Sequence, residues 1–497
     1  MGDRDAPQQS PRPGQGDLAP ARGFEATDRL LSMQLCLIGL LALVALHLGL
    51  AAFLPLIPDE AYYWIWSLQL QPGYFDHPPM VAVWMRAGEI LLGHGSLGTR
   101  LLAPLASALG SILLWRAAED FFPHRSAGLV AAALFNATLL GGAVSVLLTP
   151  DAPLLFFWIA TIAALGRWLA TGDDRWWIAA GLALGAALLS KYTGLFLIIA
   201  VGLWLATASA GRAALRTPWP WTALALALAV FAPNVAWNAA HGWVDFFKQG
   251  ARLGQSNFSP AFIFLPDLAL SQIGLATPLV FALAALGTWR LARAGDARAS
   301  LLSWLTLTPT ALFVEHALFD RVQGQWPAII YPSACVAAAA LPAPLLARWL
   351  KPSLALGFAL ILTVYVQAVV APFPVPAIVD PTATQFAGWR EFTAALARRG
   401  APFVTADGYA TLAAIAYYAP PGVVVAGFDS RWTYFDLPSA RSLGGATGLM
   451  VGERKNPDSP CRDARETLDR TRGATIAWTY GLCTFVAPGD GVLFPQR

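Results

Sequence analysis

The sequence predicts a polytopic α-helical membrane protein of about eleven transmembrane helices, followed by a small α/β domain at the C-terminal end. Three observations carry that expectation. Of 497 residues, 56% are hydrophobic and only 13% are charged, roughly half the charged fraction of a soluble chain. Apolar runs of about the length that crosses a bilayer recur near 31–54, 99–118, 126–147, 152–170, 176–190, 193–209, 219–238, 263–289, 300–318, 328–348 and 353–373. Beyond residue 373 such runs stop, and acidic residues become frequent. A net charge of +3, with no basic run and no phosphate-cradling glycine motif, points away from nucleic acid as a partner.

Residues 1–29 are rich in Pro, Gly and Gln and poor in apolar side chains. Such a segment buries too little surface to offset its ordering entropy, so a disordered cytoplasmic tail is expected. Residues 30–373 then form the membrane domain. Basic residues test its orientation: Arg116, His124 and Arg125, then Arg175, Arg212 and Arg216, Arg290, Arg293 and Arg298, and Arg348 with Lys351 all fall on the tail's side. That pattern follows the positive-inside rule. An odd number of spans then puts residues 374–497 on the opposite, external face.

The same face collects the polar loops. The first, "PDEAYYWIWSLQLQPGYFDHPP" at 58–79, has aromatic and aliphatic residues at helical spacing and reads as a helix lying in the membrane interface. A second interfacial helix follows the proline pair. "TPDAP" at 149–153, "SKYTGLF" at 190–196, "WNAAHGW" at 237–243 and "EHALFDRVQGQWPA" at 315–328 share that side. A site built from loops at one end of a helix bundle suits an interfacial enzyme. A transporter would instead place polar groups at the midplane, on broken helices in two related halves.

In order and placement, the Asp59-Glu60 pair after the first span, "AYYW", "FDHPP", "TPDAPLLFFW", "SKYTGLF", "PNVAWNAAHGW" and "QWPAIIYP" resemble the GT-C membrane glycosyltransferases. Nearest in pattern are the bacterial enzymes related to protein O-mannosyltransferases and to the lipid A aminoarabinose transferase. The resemblance covers about residues 30 to 340. It implies an inverting transfer of one sugar from a polyprenyl (undecaprenyl) phosphate to a hydroxyl of a lipid-linked glycan, lipopolysaccharide or protein, at the periplasmic face of a bacterial inner membrane. That chemistry needs a carboxylate for the acceptor proton and cations for the departing phosphate. The resemblance maps the carboxylate role onto Asp59, with Asp151 as the second loop acid and Glu60 as a weaker partner. Lys191 matches a donor-phosphate position, and Arg252, Arg321 and His77 are further candidates. His77 stands where aminoarabinose transferases usually carry lysine, so the donor sugar is open. Tyr62, Tyr63, Asp76, His241, Glu315, His316 and Trp326 are expected to line the substrate pocket.

Each residue also has a purely structural reading. Asp59 and Asp151 suit helix N-termini, and Lys191 suits an amphipathic anchor. Asp76-His77 can order a turn, and Glu315-His316 can be a packed polar pair. The six histidines are scattered, with no ligand spacing, so no metal is assigned, although an acidic pair can hold Mg²⁺ or Mn²⁺. In the C-terminal segment, "GWREFTAALARRG" and "YATLAAIAYYAP" read as helices. "APFVTAD" and "GVVVAGF" read as strands, and "ATIAWTY" with "CTFVAP" as a closing hairpin. Its two cysteines, Cys461 and Cys483, are expected to pair in an oxidising compartment, and "FDSRWTYFD" at 428–436 to approach the acceptor. Two other functions fit the composition: a non-catalytic sugar-lipid transporter, and a ligase or polymerase using a polyprenyl diphosphate donor.

Overall fold

The computed structural model describes residues 22–123, 126–250, 261–453 and 458–495. By its contacts the chain forms two compact units, Met1–Leu43 and Val44–Arg497. The first helix, Arg22–Phe53, begins eight residues inside the segment expected to be a tail. Residues 1–21 lie outside the described residues.

Five of the eleven expected spans are continuous apolar helices long enough to cross a bilayer: Cys36–Phe53, Ser96–Phe121, Asp151–Thr171, Trp219–Ala240 and Ala343–Val369. The run at 263–289 is instead two helices, Phe262–Leu275 and Pro278–Leu291, bent by 107°. Pro278 has no N–H with which to continue the first helix, and Thr277 makes the corner at φ 63°. The run at 126–147 is also divided, into Ala127–Asn136 and Leu139–Val144, with Thr138 capping the second helix through its hydroxyl. Trp176–Ser190, Tyr192–Thr207 and Trp326–Ala339 are apolar but shorter than a full span. Ala297–His316 occupies the remaining expected run. Composition thus locates the apolar helices but overstates how many are continuous.

Helix Trp176–Ser190 sets the level of the site. It returns antiparallel to Asp151–Thr171 after the short link 172–175, whose Gly172 takes the left-handed turn at φ 68°. Residue 191 therefore comes back to the level of residue 151. The helix also presses closely on Trp219–Ala240. A Cβ on Gly181 would stand 2.5 Å from the Ala223 carbonyl oxygen, the close approach that small residues permit between membrane helices.

Helix Pro58–Leu68 departs from expectation. Residues Glu60 to Ser67 are all buried, so the helix is enclosed by protein on every side instead of lying with one face in lipid. Helix Tyr409–Tyr418 covers it: Trp64 meets Tyr417 at 5.0 Å and Tyr62 meets Tyr409 at 4.7 Å. Tyr418 also donates a 2.9 Å hydrogen bond to the Leu56 carbonyl. An aromatic helix that reads as a membrane anchor from its own sequence is the hub of a protein core here.

The C-terminal segment contributes strands β1 (Val404–Ala406), β2 (Ala426–Gly427), β3 (Thr447–Glu453), β4 (Glu466–Arg472), β5 (Thr475–Val486) and β6 (Val492–Leu493). Four form a sheet in the order β1-β3-β5-β4, with β1 and β3 parallel and the other pairs antiparallel. β2 and β6 make a separate antiparallel pair. "ATIAWTY" and "CTFVAP" are one continuous strand, β5, and not a hairpin. Its hairpin partner is β4, "ETLDRTR", whose charges hide a strand that needs only one buried face at a sheet edge. A disulfide joins Cys461 to Cys483 of β5.

Candidate active site

The adjacent acids Asp59 and Glu60 occupy the first turn of helix Pro58–Leu68, which proline starts. Glu60 is fully buried. Its Oε1 accepts from Arg100 Nε at 2.7 Å and from the Leu148 N–H at 2.9 Å, and its Oε2 accepts from the Ile57 N–H at 3.1 Å and from Arg100 Nη2. A carboxylate offers about four lone-pair positions, and here all are taken. Glu60 is therefore a structural acid rather than the partner base expected from the sequence. Arg100 extends the lock by donating to the Leu54 and Pro55 carbonyls, each at 2.7 Å.

Asp59 is the opposite case. It is half-buried, and among the described residues no hydrogen bond or ion pair engages it. Burial, then the neighbouring charges of Glu60, Asp76 and Asp151, raise its pKa from 3.8 to about 6, against the pull of Lys191. An open carboxylate titrating near neutrality has the character of a proton acceptor.

Asp151 and Lys191 form a buried pair, Nζ to Oδ1 at 2.7 Å. Each terminates a helix: Asp151 starts one and Lys191 follows the end of the next. Lys191 Nζ also stands 5.6 Å from the centre of the Trp326 ring. It opens onto a cleft of about 340 Å³ whose walls include His77, Glu315, His316 and Trp326. The remainder is mostly apolar, with Leu195, Phe196, Ile199, Leu312 and Phe313. A lysine carries three donors, so pairing with Asp151 leaves two for an anion in the cleft.

A second charged group lies around Asp76. Its Oδ2 accepts from Tyr62 Oη at 2.6 Å and from Arg431 Nη1 at 2.8 Å, and its Oδ1 accepts from Lys248. Burial alone would raise the Asp76 carboxyl; Arg431 and Lys248 outweigh it and hold the pKa below the ordinary value. Gln249 donates to the Asp76 carbonyl at 2.6 Å and also lines the Lys191 cleft, linking the two groups.

Other expected residues are dispersed. Tyr63 packs edge-on against Trp66 at 4.9 Å and lies 6.4 Å from His77. His241 stacks on Trp237 at 4.1 Å, away from the residues lining the Lys191 cleft. Arg321 is exposed and pairs with Asp267 at 2.9 Å, outside the cleft. Arg252 lies outside the described residues. Sequence reasoning missed Arg431, Lys248, Gln249 and Tyr192, although "SKYTGLF" had marked the last. Tyr192 donates to Asp245 and so anchors the short helix carrying Lys248. Among the described residues, no three His, Cys, Asp or Glu side chains converge on a cation position. Mg²⁺ or Mn²⁺ takes several oxygens, and with Asp151 matched by Lys191 and Glu60 by Arg100 the donor set does not fit one.

Residues 76–237 match the family model described as dolichyl-phosphate-mannose-protein mannosyltransferase. That stretch holds Asp76, Asp151 and Lys191 but not Asp59. Lipid A galacturonosyltransferase RgtD of Rhizobium johnstonii is 29% identical over 286 residues, which cover 56% of this chain and 59% of that protein. This chain thus spans about three-fifths of that relative's length. Among solved structures, ArnT from Cupriavidus metallidurans in the apo state superposes with a TM-score of 0.60 at 15% identity, over 91% of this chain and 98% of that one. The same protein bound to undecaprenyl phosphate gives 0.60 at 17% identity, over 93% and 99%. At that identity the likeness is one of fold. With its apolar helices, this is a multi-pass membrane protein. It shares a whole-chain architecture with ArnT and a family match across the Asp151–Lys191 region, and it belongs to the GT-C superfamily of membrane glycosyltransferases.

Proposed function

We propose that this chain moves a single sugar, with inversion, from a polyprenyl phosphate to a hydroxyl of lipid A or a similar lipid-linked glycan, at the periplasmic face of a bacterial inner membrane. The carrying observation is the pairing of one open carboxylate, Asp59, with a cation, Lys191, at an apolar cleft. The solved relative bound to undecaprenyl phosphate supports a polyprenyl donor. The galacturonosyltransferase relative supports a lipid A acceptor.

The donor's prenyl chain lies along the apolar wall, and Lys191 meets its phosphate with the two donors Asp151 leaves. Asp59 accepts the proton of the acceptor hydroxyl as that oxygen attacks the anomeric carbon. The bond from that carbon to the phosphate oxygen breaks on the opposite side, and its electron pair departs with the phosphate. The charge developing there is stabilised by Lys191. One displacement inverts the anomeric centre.

The test uses the purified full chain in lipid nanodiscs with undecaprenyl-phosphate sugars and lipid A. NMR of the product should show an anomeric configuration opposite to the donor's. Retained configuration would contradict a single displacement, and no transfer with any donor would overturn the reading.

A further inference from the structure

Asp76 and His77 are neighbours in sequence but face different spaces. His77 lines the Lys191 cleft, whereas Asp76 turns to Lys248 and Arg431. One carboxylate against two cations leaves a positive charge in excess. None of the three is sealed: the side chains of Asp76, Lys248 and Arg431 keep 13%, 23% and 14% exposure.

An aromatic shelf adjoins them. Phe75 stands 5.3 Å from Tyr434, and Tyr434 stands 6.2 Å from His241 and 6.4 Å from Trp237. His241 and Trp237 stack at 4.1 Å with planes 19° apart. Lys248 lies 4.2 Å and Arg431 5.1 Å from the centre of the Phe75 ring. His241 Nδ1 is 2.7 Å from the Trp237 carbonyl oxygen. That oxygen can only accept, so Nδ1 donates and the neutral ring keeps Nε2 as an acceptor.

Rings, excess positive charge and a hydrogen-bond acceptor together suit one ligand class. The C–H face of a pyranose packs on aromatic faces, whose quadrupole is negative. A sugar hydroxyl donates to Nε2, and an anionic substituent takes charge-assisted bonds from Arg431 and Lys248. Location agrees: Asp59 feels both Asp76 and the Asp151–Lys191 pair, so the proposed base stands near both groups. We propose that the shelf of Phe75, Trp237, His241 and Tyr434, with Lys248 and Arg431, is the acceptor-side subsite and binds an anionic sugar of the acceptor glycan. The inference rests on the transferase reading above.

Direct binding tests it separately from turnover. The full chain in nanodiscs is titrated with three synthetic diglucosamine lipids, bearing a phosphate, a carboxymethyl group or neither. The wild type should bind at least one charged probe about ten-fold tighter than the neutral one, and which probe wins identifies the anion. Arg431→Gln should remove that preference and Arg431→Lys keep part of it. Tyr434→Ala should weaken all three probes several-fold, while Tyr434→Phe retains binding. If Arg431→Gln does not fold, ionic strength decides in the wild type: the preference should shrink as salt rises. Equal binding of the three probes, a preference surviving in folded Arg431→Gln, or salt-independent preference would overturn the subsite. Charge preference without transfer would leave the subsite standing and remove the transferase; transfer without charge preference would do the reverse.

Discussion

Asp59 and Glu60 are consecutive residues of one helical turn, yet they sit in two different regions of the molecule. Glu60 belongs to a sealed enclave where Arg100 and two backbone N–H groups use all its acceptor capacity. Asp59 belongs to the open region, with no such partner among the described residues and a pKa raised to about 6. What separates a structural acid from a reactive one is the number of lone pairs left unclaimed.

Swapping each acid for its amide exposes the contrast. Asp59→Asn should cut transfer about 10²–10⁴-fold, the usual contribution of a general base, while donor binding persists. Its melting temperature at pH 7 should not fall. The folded state binds more protons than the unfolded chain between about pH 4 and 6, so Asp59 lowers stability as pH rises through that window. Glu60→Gln should do the reverse. It leaves the buried Arg100 charge uncompensated, at a cost of about 3–5 kcal/mol, read as lost folded protein in a thermal-shift assay.

A smaller effect sharpens the open region. Lys191→Gln should weaken donor binding about ten- to a hundred-fold, the worth of a hydrogen bond to a charged group, with acceptor affinity less affected. Normal donor affinity in that variant would remove the cleft from the account. The smallest effect is expected at Arg321, which is paired with Asp267 and exposed. Arg321→Ala should leave transfer unchanged and stability within about 0.5 kcal/mol.

The site was legible in the sequence where short motifs carry it. "PDEAYYW" marked Asp59, "TPDAP" and "SKYTGLF" marked the two halves of the Asp151–Lys191 pair, and "QWPA" marked Trp326. The partners were not legible, because they come from distant chain. Arg100 reaches Glu60 across 40 residues and Arg431 reaches Asp76 across 355, and no local pattern encodes either meeting. The fold shows the same division. Apolar composition located the helices, but the bend at Thr277 and the burial of an aromatic helix under Tyr409–Tyr418 depend on tertiary contacts. Strand β4 escaped notice because an edge strand keeps its charges in solvent.

The most direct measurement is the pH dependence of kcat/KM for sugar transfer in the wild type and in Asp59→Asn. Only the ionised carboxylate can take the acceptor proton, so the wild-type rate should climb about ten-fold per pH unit to a bend near pH 6 and then level off. The residual rate of Asp59→Asn should show no such climb. A wild-type rate flat between about pH 4.5 and 7.5, or the same climb surviving in the variant, would mean that the proton goes elsewhere.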